Sequence, residues 1–455
     1  MSSFVSPNRE DLFGANDSAT IQNAIRAAVL DGSRRVVIPR YNLRTDTTEW
    51  RIAESILLPS DFTLVLDNCT MVQEKGVFCP MITNENSAIR PQTVETAQKN
   101  IAVIGEGNVC LSGGVHNGLL ERTSGKYGLP RFISLLNPIL LWINVHGLRV
   151  ENLHIERQRH WAVNHVDCSH VKIKNLDFFA EPHVPNMDGI DLRMGCHDFE
   201  IENITGRTGD DTIALTAIAG VMETAAIVDG RSGDICNVKI RNVLSDPFML
   251  LNVRLLSQDG NCVHDIDIDI DTVMDTSEFY TKKNPIAAIG LGTQGNLYVK
   301  VRPPYPEDTY HINAKNIYSR GAQAVRIDSG CVNSLFENVK TFSTCYSGIG
   351  TCGFGVTLHD VTIDGLYVGV KRALGGTTIV ENLSGQPTSA IRLENSHGEL
   401  TVKNLNAAYG IDHLVKGSGD LSVTLEDCHV TDYATVTTAP EMRVILNGKE
   451  HTVND

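Results

Sequence analysis

Short apolar alternations run along the chain, among them Val36-Val-Ile-Pro39, Ser55-Ile-Leu-Leu58, Phe62-Thr-Leu-Val-Leu66 and Ile101-Ala-Val-Ile104, divided by turns rich in Gly and Asn. Period-two patterning in runs this short predicts strands with one buried face. A unit of the type Val-x-Ile-x-Asn-Leu then recurs with Asn or Asp in one place: Asn152, Asn175, Asn203, Asn242, Asn316, Asn338, Asp360, Asn382, Asn404 and Asp427. The intervals are 23, 28, 39, 74, 22, 22, 22, 22 and 23 residues. Asn at a bend tolerates left-handed backbone, and its amide can bond the Asn of the next coil. The expected fold is therefore all-β, a single-stranded right-handed parallel β-helix forming one domain over 1–455, with an N-terminal segment at 1–40, coils over 41–435 and a tail at 436–455.

One helix breaks the pattern. Ile21, Ile25, Ala28 and Val29 fall on one helical face, Asp17 or Ser18 supplies the cap and Asp31-Gly32 the stop. Its expected role is to cover the open end of the solenoid core. Alternation is lost over 85–99 and 122–131, two excursions placed near the mouth of a groove. The 74-residue interval has room for about three coils with loops, and insertions in solenoids collect on the binding face. The regular coils after Asn316 are expected to be scaffold.

Length fits this picture, because 455 residues exceed a usual globular domain and a solenoid core grows along its axis. A formal charge of −15 argues against nucleic acid or an anionic membrane as partner. Eleven cysteines without a CxxC pair are expected as small buried hydrophobes. The amino terminus has neither a basic start nor an apolar run, and no window spans a bilayer, so a cytoplasmic location is expected, or a secreted one if a signal peptide has been removed from this sequence. Oligomeric state leaves no signal in the sequence.

The chemistry concentrates where Asn186-Met-Asp-Gly-Ile-Asp-Leu192 is followed by Gly209-Asp-Asp-Thr-Ile-Ala-Leu215. Laying Asp188 over Asp211 puts Ile190 on Ile213 and Leu192 on Leu215, an offset of 23 residues, close to one coil. Stacked coils lie about 4.8 Å apart. Asp210 has the opposite parity to Asp211 and offers a third carboxyl. Asp191, out of parity with Ile190 and Leu192, is expected on the surface. Like charges stacked this closely are unfavourable, so a purely structural rung would more comfortably hold Asn, Thr or Val.

His160-Trp161, Cys168-Ser-His-Val-Lys-Ile-Lys-Asn175, Pro185-Asn-Met-Asp-Gly-Ile-Asp191 and Gly209-Asp-Asp-Thr-Ile-Ala-Leu215 together resemble glycoside hydrolase family 28, the polygalacturonase-like pectin hydrolases. Glycosidic cleavage needs one carboxyl to protonate the leaving oxygen and another to activate water or attack the sugar. A coil step plus a sideways displacement favours the wider, inverting separation. Asp210 is assigned as general acid, its proton held by the neighbouring charges of Asp188 and Asp211, which activate water; the resemblance implies the same roles. The scheme needs no metal or cofactor, and its partner is an oligosaccharide or polysaccharide.

The pattern departs from the family afterwards. Gly-His-Gly is missing from the next strand, Phe248-Met-Leu-Leu-Asn-Val-Arg-Leu-Leu256, where Asn252 or Arg254 takes the nearby space. His183 is a candidate substitute from a neighbouring loop or a turn residue, Asn186 is a further candidate substrate contact, Trp161 is a candidate sugar platform or a core residue, and Arg326-Ile-Asp328 stands where the family has Arg-Ile-Lys. Arg grips a carboxylate and Asp repels one, which leaves galacturonate or a neutral sugar open. Arg302-Pro-Pro-Tyr-Pro306, with Tyr298 and Tyr310, is a candidate groove wall or a stiffened loop. Two other classes remain in play: a Ca²⁺-dependent polysaccharide lyase, and a non-catalytic carbohydrate-binding or fibre module.

Overall fold

The computed structural model describes residues 3–115, 138–181, 186–219, 226–248, 250–274, 287–291, 301–302, 304–319, 323–327, 331–341, 354–362, 366–369, 377–381, 384–385, 389–407, 411–430, 433–438 and 440–453. It is a parallel β-helix, with packing in two compact units. The first comprises 1–215, 219–238 and 247–249; the second comprises 216–218, 239–246 and 250–455.

In the first unit, successive coils stack like residues in files. Val36, Leu64, Val103, Val150, Ile173 and Ile201 are in parallel register on six strands, and all are buried. A second file runs Ile56, Ile82, Leu140, Val163, Ile190 and Ile213, also buried. Burial of each such side chain contributes about 1.5–3 kcal/mol. This repetition is why the alternation is legible over so many coils.

The helix spans Asp17–Leu30 and closes the first coil. Its cap is Asn16, whose side chain accepts the Ala19 N–H at 2.7 Å, not Asp17 or Ser18. Those two reach outward instead: Asp17 accepts the Arg51 N–H and holds Arg44, and Ser18 accepts the Ala53 N–H. Gln22 both donates to the Leu57 carbonyl and accepts its N–H. The helix thus satisfies strand-edge groups that solvent or another chain would otherwise claim. Ile21, Ala24, Ile25 and Ala28 are its buried face, and Val29 is only half-buried.

The Asn ladder is present in both units. Asn152, Asn175, Asn203, Asn242, Asn316, Asn338, Asn404 and Asp427 all have φ between 51° and 60°. In the first unit Asn175 donates to Asn152 at 2.7 Å, and Asn203 donates to Asn175 at 2.9 Å. In the second, Asn338 donates to Asn316, and Asn316 to Asp269, each at 2.8 Å. Asp269 is therefore the rung next to Asn316 within the 74-residue interval, and the coil between them is enlarged; Asp360 and Asn382 lie where no side chain is described. Asn175→Ala places a Cβ-bearing residue without amide in the left-handed region and is expected to cost about 1–3 kcal/mol in urea denaturation, with Asn175→Gly costing less.

Other parts of the second unit repeat the coil plan. Leu251–Ser257, Ala287–Leu291 and Gln323–Ile327 pair in parallel, as do Val263–Met274, Thr309–Ser319, Val332–Thr341 and Phe354–Thr362. Within 436–455, Arg443–Leu446 adds to Ile411–Glu426 and folds back on Lys449–His451 through an Asn447-Gly448 turn. The residues at 85–99 are held by Gln92 and Thr96, and Asn144 donates to Gln92 and to the Thr93 carbonyl; the second excursion, 122–131, lies outside the described residues. Cys69, Cys168, Cys196, Cys331 and Cys428 are buried free thiols, and burial pushes those of Cys69 and Cys196 up to about 12.

Candidate active site

Strands Val163–Val166, Ile190–Leu192 and Ile213–Ala217 pair in the expected register, Ile190 on Ile213 and Leu192 on Leu215. The turns just before them are tied rung to rung. Ala162 N–H donates to the Asp188 carbonyl, Gly189 N–H to the Asp211 carbonyl and Ile190 N–H to the Thr212 carbonyl, at 3.0, 3.0 and 2.8 Å. Asp188 and Asp211 thus stand on adjacent coils. Carboxylate oxygens of Asp188, Asp210 and Asp211 all come within 4.8 Å of one another. The three residues are 4%, 6% and 0% exposed.

Asp210 is fixed more closely than its neighbours' sequence suggests. Its Oδ2 accepts the Asn186 N–H at 2.9 Å and its Oδ1 accepts the Asp211 N–H at 3.1 Å. Thr208 Oγ1 donates to the Asp210 carbonyl at 2.8 Å and sits 3.1 Å from Thr212 Oγ1. Asn186, expected as a substrate contact, is in the left-handed region and acts on Asp210 through its backbone. The two amide contacts favour the carboxylate form, whereas two close carboxylates favour the acid. Nearest-oxygen approaches of at most 4.8 Å fall short of the 6.5–9.5 Å carboxyl spacing of inverting enzymes, so the coil step alone does not select inversion.

Trp161 lies beside this corner, since its neighbour Ala162 bonds the Asp188 carbonyl. Its ring carries the Arg193 guanidinium 4.3 Å above the centroid, with His160 4.6 Å away. Sequence reasoning missed Arg193 and Gln158, and it quoted His160 in the motif without giving it a place in the site. Gln158 is fully buried, and its amide donates to the Met187 carbonyl at 3.3 Å, next to Asp188. No periodic signal marks these residues, because they come from loop ends. Asp191 is not a surface carboxylate: it is 1% exposed and in register with Asn164 and Ala214, because both faces of this strand are covered.

The remaining candidates are placed by backbone alone or stand apart. His183 lies outside the described residues, as do Tyr298 and Asp328. Arg254 is half-buried in the second unit, and its register partner Gly290 is also the partner of Arg326, so the two arginine positions share one file. Asn252 is a buried scaffold residue donating to Ser245. Arg302 is pinned to Asp308 by two contacts of 2.6 and 2.7 Å and lies 4.2 Å over Tyr305. That favours the stiffened-loop reading. Tyr310 stacks on His264.

His165 makes a separate electrostatic feature. It is fully buried, its Nδ1 donates to the Asp191 carbonyl at 3.0 Å, and its ring meets Phe199 edge-on. Burial holds its pKa down at about 4. The unfolded chain takes up this proton below about 6.5 and the folded chain only below about 4, so stability present above pH 6.5 is lost as pH falls toward 4. The loss is about 3 kcal/mol at most. Denaturant titrations across this window are expected to show the slope, and His165→Gln to flatten it.

Residues 83–272 match the family model for glycosyl hydrolases family 28. A polygalacturonase of Arabidopsis thaliana, QRT2, is 32% identical over 76 residues, which is 17% of this chain and 17% of that protein. Among solved structures, an exopolygalacturonase from Thermotoga maritima aligns with 99% of this chain and 93% of its own at 15% identity and a TM-score of 0.53. Gene product 12 of bacteriophage phi29 aligns with 98% of this chain and 57% of its own at 11% identity and a TM-score of 0.60. Similarity to glycosyl hydrolases family 28 thus covers residues 83–272, and the fold likeness extends over nearly the whole length of the chain.

Proposed function

We propose that the protein hydrolyses O-glycosidic bonds in a pectin-like oligosaccharide, with Asp210 as general acid and Asp188 and Asp211 activating the attacking water. The observation that carries this reading is the convergence of three buried carboxylates within 4.8 Å. The family match over residues 83–272, which contains all three, supports the reaction class. Carboxylates this close repel one another when all are ionised, and the role of acid falls to the group that faces the leaving oxygen. Water held between Asp188 and Asp211 attacks the face of the sugar opposite the leaving group, and inversion then follows from these assigned roles rather than from the oxygen spacing, which is shorter than in inverting enzymes. Arg193 on Trp161 provides a flat cationic surface beside the reacting bond, suited to a uronate or to hydroxyl groups of a neutral sugar.

Incubating the protein with pectic and neutral oligosaccharides, and following the first-released anomer by NMR, tests this. Inverted product from a pectic substrate is expected. A retained anomer removes the water-activating assignment, and absence of turnover on every substrate removes the reaction class. A second reading has one observation in its favour: the same oxygens are close enough to hold a cation, as in a Ca²⁺-dependent lyase. Chelator-sensitive release of an unsaturated, ultraviolet-absorbing product selects it.

A further inference from the structure

On the outer side of the first unit, three neighbouring coils bring a different set of donors together. Strand Cys110–Ser112 pairs with Val145–Glu156, placing Cys110 beside His154 and Ser112 beside Glu156. The next strand places Asp177 on the other side of His154. Residues two apart on a strand share a face, so Cys110, His154, Glu156 and Asp177 project from one patch. The Cys110 sulfur, a ring nitrogen of His154 and a carboxylate oxygen of Glu156 all lie within 4.8 Å of one another.

We propose that Cys110, His154 and Glu156 form a binding site for a borderline-soft divalent cation, with Zn²⁺ the fitting example, completed by water. The outer partners already orient the donors. His154 Nδ1 lies 2.6 Å from Asp177 Oδ2, and since a carboxylate only accepts, Nδ1 carries the hydrogen and the lone pair is on Nε2. Asp177 is itself held by Thr205 Oγ1 at 2.7 Å. A carboxylate behind the imidazole is the usual support of a metal-bound histidine. Glu156 Oε1 accepts from Ser112 Oγ at 2.9 Å, which leaves Oε2, 4.0 Å from His154 Nε2, for the ion.

Thiolate, imidazole and carboxylate are the donor types of a zinc site, and hard cations such as Mg²⁺ disfavour the sulfur. Binding exchanges the thiol proton for the S–Zn bond and releases it to solvent. Because the donors come from two coils, the ion ties them together and stabilises the folded chain by mass action.

The full-length protein, stripped with chelator and dialysed, is titrated first with Co²⁺ as a spectroscopic probe and then with Zn²⁺ in a calorimeter. A thiolate-to-cobalt charge-transfer band is expected in the wild type and in Asp210→Asn, which leaves this patch intact. Cys110→Ser removes the band and weakens Zn²⁺ at least about 10-fold, and Asp177→Asn weakens it about 10–100-fold. His154→Gln, at a part-exposed position, repeats the loss if the serine variant folds poorly. No thiolate band in the wild type, or a band that survives Cys110→Ser, overturns the proposal.

Discussion

Replacing Asp210 with Asn is expected to lower turnover by about 10²–10⁴-fold while leaving the fold and thermal stability close to those of the wild type. The side chains are nearly the same size, and the amide oxygen can keep one of the two backbone N–H contacts from Asn186 and Asp211. What is lost is the transferable proton, the one feature that general-acid catalysis uses. Because the acid form of Asp210 and the amide are both uncharged, the charge of the trio is unchanged and stability is expected to stay close to that of the wild type. Steady-state rates of reducing-end release, measured beside a melting curve for both proteins, separate the two effects. Turnover within a few-fold of the wild type refutes the acid role of Asp210.

Gly189→Ala is expected to be nearly as damaging with every carboxylate still in place. An added Cβ at Gly189 meets the Thr212 carbonyl oxygen at 2.5 Å and Phe178 ring carbons at 3.1 and 3.3 Å. The oxygen belongs to backbone on the adjacent coil, so the methyl is accommodated only by separating the two coils. That separation stretches the Gly189–Asp211 and Ile190–Thr212 hydrogen bonds, which set Asp188 against Asp211. Overpacking of this kind costs about 1–3 kcal/mol, and a shift of about 1 Å in reacting groups costs about 10²-fold in rate. Activity falling far more than stability is the expected signature, read from kcat and urea midpoint on one preparation. A variant with normal kcat contradicts the dependence of the site on coil spacing.

The parts of this fold that were legible in the sequence are those that repeat. Ile190 over Ile213 and Leu192 over Leu215 followed from a constant offset, because parallel coils stack like on like. The left-handed turns at Asn152, Asn175 and Asn203 followed for the same reason. What failed to show is set by single events across the chain. Asp191 obeys strand parity yet is buried, because its outward face is covered as well as its inward one. Asn16 caps the helix because Asp17 and Ser18 are drawn to the strand edge by free N–H groups, a competition no local pattern reveals. The enlarged coil between Asp269 and Asn316 hid a rung, since Asp had replaced Asn there.

The carboxylate trio was legible through its position in two matching turns, but its surroundings were not. Arg193 reaches Trp161 from a strand end three residues beyond Ile190, and Gln158 supports Asp188 through a carbonyl contact 30 residues away in sequence. Both depend on how neighbouring coils superimpose rather than on spacing within one coil.

The most direct test is reducing-end release from pectic oligosaccharides by the wild type and by the triple variant Asp188→Asn, Asp210→Asn, Asp211→Asn, compared at equal folded concentration. Release by the wild type and a loss of at least about 10²-fold in the variant are predicted. Equal release by the two proteins contradicts the assignment of hydrolysis to these three carboxylates.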